Sequence, residues 1–413
     1  VLSQCQGRVR REKRRHNIVP IGAGDALKAE EVVSMNASHP APDEAMLRAQ
    51  VRAALPGQIV LVLQGGGALG AYHAGVYQAL HESGIAPDWV IGTSIGAVNG
   101  ALIAANRPEH RLDRLHAFWQ RVEKHWPVAM PGLGPAARSF FGHIDTLMRG
   151  VPGFFAPNPQ AWLGPDAPVG VEAASWYTTE QLHDSLGRLI DMDVLADKLT
   201  RLTVGAVNVR TGSMRYFDSR DEKLGIEHVM ASGALPPAFA AVRVDGEPYW
   251  DGGLYSNTPI EAVLDDKPRR DSVIFTVDVW RPDGEEPQSL WQVAGRLKDI
   301  QYASRADSHI ARQKQIHHLR HVVRELARHL PAKQRESAAM RELASWGCHT
   351  TMHVIPLLAS RLDGEDQTKD IDFTPSGVRS RWQAGRDDTL RIIARAPWSA
   401  PVDPIEGVIV HRP

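Results

Sequence analysis

From about Gln58 to about residue 280, short apolar runs alternate with stretches in which apolar residues recur every three to four positions. "IVLVL" (Ile59 to Leu63) is an unbroken apolar run, the pattern of a strand buried on both faces. Gln64 and three glycines follow, and then an Ala/Leu/Val/Tyr-spaced segment that predicts a helix to Ser83. "PDWVIGTS" predicts a second strand and "IGAVNGALIAAN" a second helix. Farther on, "RLTVGAVNVRTG" reads as a strand and turn, and "SVIFTVDVW" as another buried strand. Between them "EHVMASGALPPAF" reads as a short helix stopped by Pro236 and Pro237. Strand–helix alternation of this kind predicts an α/β fold with a largely parallel sheet.

Three stretches depart from that pattern. Residues 1 to about 50 are polar and irregular, the expectation for a disordered arm. Within it "RVRREKRR" (Arg8 to Arg15) is a solvated basic run or a contact for an anionic membrane surface. Residues 127–172 hold eight Pro and seven Gly, together with Phe140, Phe141, Phe154, Phe155 and Trp162. Aromatics with few charges in so long a loop predict a lid or an acyl-binding rim, with Phe154, Phe155 and Trp162 as the expected acyl contacts. Residues 286–413 read as a mainly helical extension packed on the α/β part. There Ile316, Leu319, Val322, Val323, Leu326 and Leu330 form an apolar face expected to pack on the core, with attachment to a membrane surface as the alternative, opposite Arg312, Lys314, Arg320, Arg324 and Arg328.

Composition narrows the function classes. A net charge of −1 over 413 residues gives no global field for nucleic acid. Cys5 and Cys348 make neither a disulfide framework nor metal-ligand spacing, so no metal is expected. No apolar run reaches 18 residues and no apolar core follows the basic N-terminus, so neither a spanning helix nor a secretory signal is read. The expectation is a cytoplasmic protein, peripheral to a membrane if it meets one. Oligomeric state is not legible.

Two glycine motifs carry the chemistry. Gly65, Gly67 and Gly70 match G-x-G-x-x-G between a strand and a helix, a pattern shared by dinucleotide sites. A dinucleotide site also wants an acid at the end of the next strand, and Asp88 stands before that strand instead. At the strand's carboxyl end is "GTSIG", Gly92 to Gly96, a G-x-S-x-G nucleophile elbow. A sharp strand-to-helix turn lifts the Ser94 hydroxyl above the sheet edge, and the small Gly92 and Gly96 allow close packing around it. If the two strands are neighbours, Gly65, Gly66 and Gly67 lie beside Ser94 and aim N–H groups at an oxyanion. A serine needs a base. Late histidines (His309, His317, His318, His321, His329, His349, His353) are one source, and Asp251 in "YWDGGLYSNTP" is the other.

With "GGGALG", "GTSIG" and "DGG" in this order, the sequence resembles the patatin-like phospholipase family over roughly residues 58–280. "ASGALPPAF" and "SNTPI" are also similar to segments flanking that family's aspartate. The resemblance implies a three-layer α/β/α sandwich over 58–285 and lipid acyl hydrolysis by a Ser–Asp dyad without cofactor. It makes Ser94 the nucleophile, Asp251 the base and Gly65, Gly66 and Gly67 the oxyanion loop. Many members carry Arg or Lys where this chain has Leu69. That departure leaves room for other hydrophobic esters, such as polyhydroxyalkanoates or acylglycerols. A fold that binds lipid without hydrolysing it is a further alternative. "DFTPSGVRSRWQAGRDD" resembles the C-terminal extension of a bacterial subgroup.

Overall fold

The first strand, β1 (Gln58–Leu63), sits in the middle of a nine-stranded sheet, which is why its side chains are apolar without alternation. Ile59, Leu61 and Leu63 enter one core, and Val60 and Val62 enter a second core on the opposite face. The computed structural model describes residues 52, 55–125, 142, 144–303, 306–362, 365, 367–403 and 405–412. The basic run Arg8 to Arg15, Phe140 and Phe141 lie outside the described residues.

After β1 come α1 (Ala71–Glu82), β2 (Trp89–Gly92), α2 (Ile95–Ala104) and α3 (Arg111–Val122). A short antiparallel pair, β3 (Ala156–Pro157) and β4 (Tyr177–Thr178), brackets part of the Pro/Gly-rich stretch. Then follow α4 (Glu180–Leu189), β5 (Arg201–Asn208), β6 (Met214–Asp218), α5 (Ile226–Ser232), β7 (Val242–Val244), β8 (Glu247–Asp251) and β9 (Ser272–Asp278). The C-terminal part adds α6 (Leu290–Tyr302), α7 (Ala306–His329), α8 (Ala338–Ser345), β10 (Met352–Leu358), α9 (Pro375–Arg395) and β11 (Val408–Val410).

The sheet order is β11-β10-β9-β1-β2-β5-β8-β7, with β6 also paired to β5. The run from β11 to β5 is parallel, and β6, β7 and β8 are antiparallel. Helices cover both faces. α1, α2, α3 and α9 contribute to the first core, while Ile260, Val263, Leu264 and Ile310 cover the second. The fold is therefore the α/β/α sandwich with a mostly parallel sheet.

Residues past 285 do more than add helices. β10 and β11 extend the central sheet, and these residues belong to one compact unit with the rest. α9 lies directly on α1. A Cβ at Gly75 would stand 1.8 Å from the Trp382 carbonyl oxygen, and one at Gly385 would stand 2.2 Å from that of Tyr72. Reciprocal glycines bring the two backbones together. The seam is tied by Tyr72 Oη donating to Asp388 (2.8 Å) and by the Arg386–Glu82 ion pair (2.8 Å).

The face expected to bury α7 is not the one buried. Ile310, Gln313, His317, His321 and Ala327 are inside, whereas Leu319 and Leu326 are 63% and 64% exposed. The surface that α7 meets offers polar acceptors rather than an apolar sheet. His321 Nε2 donates to the Thr350 carbonyl (3.0 Å) and Gln313 Nε2 to Asp265 (2.8 Å). Tertiary hydrogen bonding overrides the apolar periodicity.

Candidate active site

Parallel pairing of β1 with β2 in the register Leu63↔Gly92 brings the two following turns level. A Cβ at Gly96 would meet the Leu63 carbonyl oxygen at 2.2 Å, and one at Gly92 would meet the Gly96 carbonyl at 2.3 Å. Only glycine fits at either place, so the elbow can close. Ser94 takes φ 56°, a region costly for a side chain, and it immediately precedes α2. Its N–H is held by the carbonyl and hydroxyl oxygens of buried Ser232, each at 3.1 Å. The β-carbon of Ser94 would be 3.0 Å from a Cβ at Gly65, so the first glycine of the loop touches the serine.

Asp251 ends β8, which runs antiparallel to β5 in the register Ala206↔Asp251. Asp251 is 2% exposed, and its carboxyl accepts from the Gly253 N–H (2.7 Å) and faces the Ser94 side chain. Burial pushes its pKa up to about 6, against the pull of Ser94 and of the Gly253 N–H. The "DGG" turn is what lets it sit there: a Cβ at Gly252 would strike the Gly205 carbonyl oxygen at 2.4 Å.

The glycine loop is aimed by residues that the sequence did not single out. Buried Gln64 accepts from the N–H groups of Val279 (2.6 Å) and Trp280 (2.9 Å) and donates to Thr258 Oγ1 (2.9 Å). The Gly65 carbonyl accepts from Trp280 Nε1 (2.8 Å) and Asn257 Nδ2 (3.2 Å). A trans peptide is planar, so pinning that carbonyl on one side turns the Gly66 N–H to the other. The Gly65 N–H donates to the Asn257 carbonyl (3.2 Å), while the N–H groups of Gly66 and Gly67 have no backbone acceptor among the described residues. Of the three expected oxyanion donors, Gly65 is thus engaged elsewhere, and Gly66 and Gly67 remain. The only hints in sequence were a glutamine continuing an apolar run, an asparagine in "SNTP" and a tryptophan at a strand end.

The C-terminal part closes over this loop. The Tyr302 carbonyl, at the end of α6, accepts from Gln64 Nε2 (3.1 Å) and Asn257 Nδ2 (3.0 Å), and its ring packs on Trp280. Burial, and then the negative Asp251 and Asp370, hold the Tyr302 phenol above its ordinary pKa. A Cβ at Gly67 would meet the Asp370 carbonyl at 2.3 Å. A reciprocal pair of ion pairs, Lys298–Asp370 (2.8 Å) and Lys369–Asp299 (2.7 Å), clasps α6 to that segment. α6 turns these polar residues inward and leaves Leu290, Val293, Leu297 and Ile300 exposed as a stripe at helical spacing, with Trp291 also exposed.

Other expected residues lie elsewhere. Phe154 and Phe155 are buried in an aromatic cluster with Phe118, Phe239, Phe373 and Tyr177. Trp162 is 83% exposed and makes no ring contact with them among the described residues, so the three do not form one acyl-binding wall. The two phenylalanines have neighbours enough to be core, and the tryptophan stands largely in solvent. Asp88 accepts from the Ile59 N–H (2.7 Å) and pairs with Arg52, at the amino end of the sheet. Leu69, at the departing position, is buried. His317 and His353 are buried, the first near the Leu264 carbonyl and the second against His411 at 2.9 Å. Among the described residues no group of three or more His, Cys, Asp or Glu is placed to hold a metal ion, and no helix is long and apolar enough to cross a membrane.

An α/β/α sandwich with a serine elbow, a glycine loop and a buried aspartate defines a class of acyl-transfer folds. Residues 61–264 match the family model described as patatin-like phospholipase, and residues 300–405 match a second described as patatin phospholipase. The chain belongs to the patatin-like phospholipase family. It is 42% identical over 228 residues to lysophospholipase NTE1 of Coccidioides immitis, covering 55% of this chain and 12% of that protein. The NTE1 lysophospholipase of Yarrowia lipolytica is 27% identical over 237 residues, 57% of this chain and 14% of that one. Human patatin-like phospholipase domain-containing protein 6 is 48% identical over 63 residues, 15% of this chain and 5% of that protein. The chain therefore spans only a small part of the length of these relatives. The crystal structure of VipD from Legionella pneumophila aligns with 82% of this chain and 67% of its own, at 16% identity and a TM-score of 0.36, too low to add to the sheet order above.

Proposed function

We propose that the protein is a serine hydrolase of lipid acyl esters, using Ser94 as nucleophile and Asp251 as base. The observation that carries this reading is a buried Asp251 carboxyl facing the Ser94 side chain, beside a glycine loop that touches Ser94 and has uncommitted N–H groups among the described residues. In the reaction Asp251 takes the Ser94 proton as Oγ attacks the ester carbonyl. The carbonyl oxygen becomes anionic and accepts from Gly66 and Gly67. The intermediate collapses, Asp251 returns the proton to the departing alcohol, and the acyl group stays on Ser94. Water, deprotonated by Asp251, then releases the fatty acid and restores the serine. Loss of one such oxyanion donor typically costs about 2.7–4 kcal/mol of transition-state stabilisation.

The family and the lysophospholipase names of its relatives support a phospholipid or lysophospholipid substrate. Such substrates are aggregated, and the outward apolar stripe of α6, roped to the glycine loop through Tyr302, supports peripheral association with a lipid surface.

The test is fatty-acid release from phospholipid vesicles by wild type, Ser94→Ala and Asp251→Asn, with circular dichroism on each. Activity confined to wild type supports the whole reading. Folded wild type that is silent on vesicles but labelled at Ser94 by a fluorophosphonate redirects the search to another ester, such as a polyester granule or an acylglycerol. No labelling of folded protein removes the hydrolase reading in favour of a lipid-binding module.

A further inference from the structure

A second site of a different kind lies at the other edge of the sheet. Ser94 follows the carboxyl end of β2, whereas residues 267–269 and 345–350 lead into the amino ends of β9 and β10. Together with α7 these segments line an open cavity of about 420 Å³. Lys267, Arg269, Arg320 and Arg324 all line it, with Thr350 and Trp346. Four cations gathered around one cavity repel one another, most strongly between the partly buried Arg269 and Arg320.

Elsewhere the fold answers its partly buried arginines. Arg201 pairs with Asp218 (2.7 Å) and Asp266 (3.0 Å), and Arg381 pairs with Asp372 (3.2 Å). Around this cavity it does not. Among the described residues none of the four makes an ion pair within 4.0 Å, and Arg269 Nε and Arg320 Nη1 are buried with no acceptor. The acids close in sequence make their hydrogen bonds and ion pairs with other groups: Asp265 accepts from Gln313 (2.8 Å), Asp266 holds Arg201 and Arg220, and Asp271 accepts from the Thr351 N–H (2.8 Å). Burial and the neighbouring Arg269 lower the pKa of Arg320, and Cys348 and Asp265 offset this only in part.

We propose that this cavity is a binding site for an organic phosphate, with Arg269 and Arg320 as its principal donors. A phosphate group brings about two negative charges and several acceptor oxygens, enough for two guanidinium forks and the outer Lys267 and Arg324. A lone inorganic anion would leave most of the volume unused. The cavity falls in the range of small-molecule sites, so there is room for the group esterified to the phosphate. Trp346, 70% exposed at the rim, offers an apolar surface to that group. The phosphate comes from a soluble ester or from the headgroup of an anionic phospholipid, and the chemistry of recognition is the same.

The experiment uses the full chain carrying Ser94→Ala, so that binding is read without hydrolysis and independently of the catalytic proposal. One arm titrates glycerol 3-phosphate and inorganic phosphate by calorimetry at low salt. The other measures co-flotation with phosphatidylcholine vesicles with and without phosphatidic acid. Both are repeated with Arg269→Gln/Arg320→Gln and with Arg220→Gln, a surface control. Saturable glycerol 3-phosphate binding that weakens at least tenfold in the double variant alone establishes a soluble ligand. Flotation only with phosphatidic acid, lost in the double variant alone, establishes a headgroup. No binding in either arm, or binding that the double variant retains, overturns the proposal. A double variant that fails to fold is replaced by Arg320→Lys and by Arg269→Lys. Each keeps the charge but loses the fork, and each is expected to weaken binding severalfold. Unchanged affinity in both would count against it.

Discussion

Replacing Asp251 with asparagine tests the central electrostatic claim without relying on any substrate. Burial raises the pKa of this carboxyl from 3.8 to about 6. A folded pKa above the unfolded one means that the native state binds more protons between those values, so stability falls as pH rises through about 4 to 6 and the whole penalty persists above that window. A shift of about two units corresponds to about 3 kcal/mol. Asparagine is nearly isosteric, cannot ionise, and keeps Oδ1 for the Gly253 N–H at 2.7 Å. The pull of Ser94 and of the Gly253 N–H is already contained in that net shift. Asp251→Asn is therefore expected to be inactive and, at pH 8, more stable than wild type by about 3 kcal/mol, with no such advantage at pH 4. Urea unfolding of both proteins at intervals across that range reads the difference directly. A stability difference that stays flat with pH, or that favours wild type at pH 8, would refute the claim that an ionised, desolvated aspartate sits behind Ser94.

The same group sets the acid limb of hydrolysis: kcat/KM should fall about tenfold per pH unit below about 6, and a profile flat to pH 5 would remove Asp251 as the base. Trp280→Phe keeps the ring against Tyr302 but removes the N–H that pins the Gly65 carbonyl, so kcat should drop by one to two orders of magnitude (about 1.4–2.8 kcal/mol) with KM little changed. A rise in KM alone would assign Trp280 to substrate binding instead. Leu297→Asp, in the exposed stripe of α6, should reduce release from vesicles at least tenfold and leave hydrolysis of a water-soluble short-chain ester intact; equal loss on both would make the stripe structural. Gly385→Val drives a side chain into the Tyr72 carbonyl at the α1–α9 seam and should destabilise the fold by at least about 2 kcal/mol in urea. Wild-type stability would show that the seam can slide.

Why so much of the site was legible while its supports were not follows from what each signal encodes. Ser94, Asp251 and their glycines are local: each motif folds within a few residues of itself, and glycine is required wherever a carbonyl stands near 2.3 Å from a would-be Cβ. The supports are long-range. Gln64 reaches Thr258 and Tyr302, and Gly65 is held by residues 257 and 280, pairings that no periodicity announces. The apolar faces misled for the same reason. α7 was expected to bury its leucines, but carbonyls and Asp265 across the gap select His321 and Gln313. α6 turns Lys298 and Asp299 inward because acid and base wait for them at residues 369 and 370. In both helices the partner surface, and not the helix sequence, decides which face goes in.

That asymmetry bears on what the segment after residue 285 is for. Two strands of the sheet, the helix that shares a glycine seam with α1, and the clasp over Gly67 all come from it. The Tyr302 carbonyl and the Asp370 carbonyl touch the same short loop whose N–H groups are proposed to receive the oxyanion. A fragment ending at the last residue of the first family match, Leu264, would lack β9, Trp280 and the clasp together. It would leave Ser94 and Asp251 on their own strands but take away what fixes the Gly65 peptide. The proposed dyad and oxyanion loop thus come from one part of the chain and the loop's supports largely from the other, and catalysis on this reading requires both.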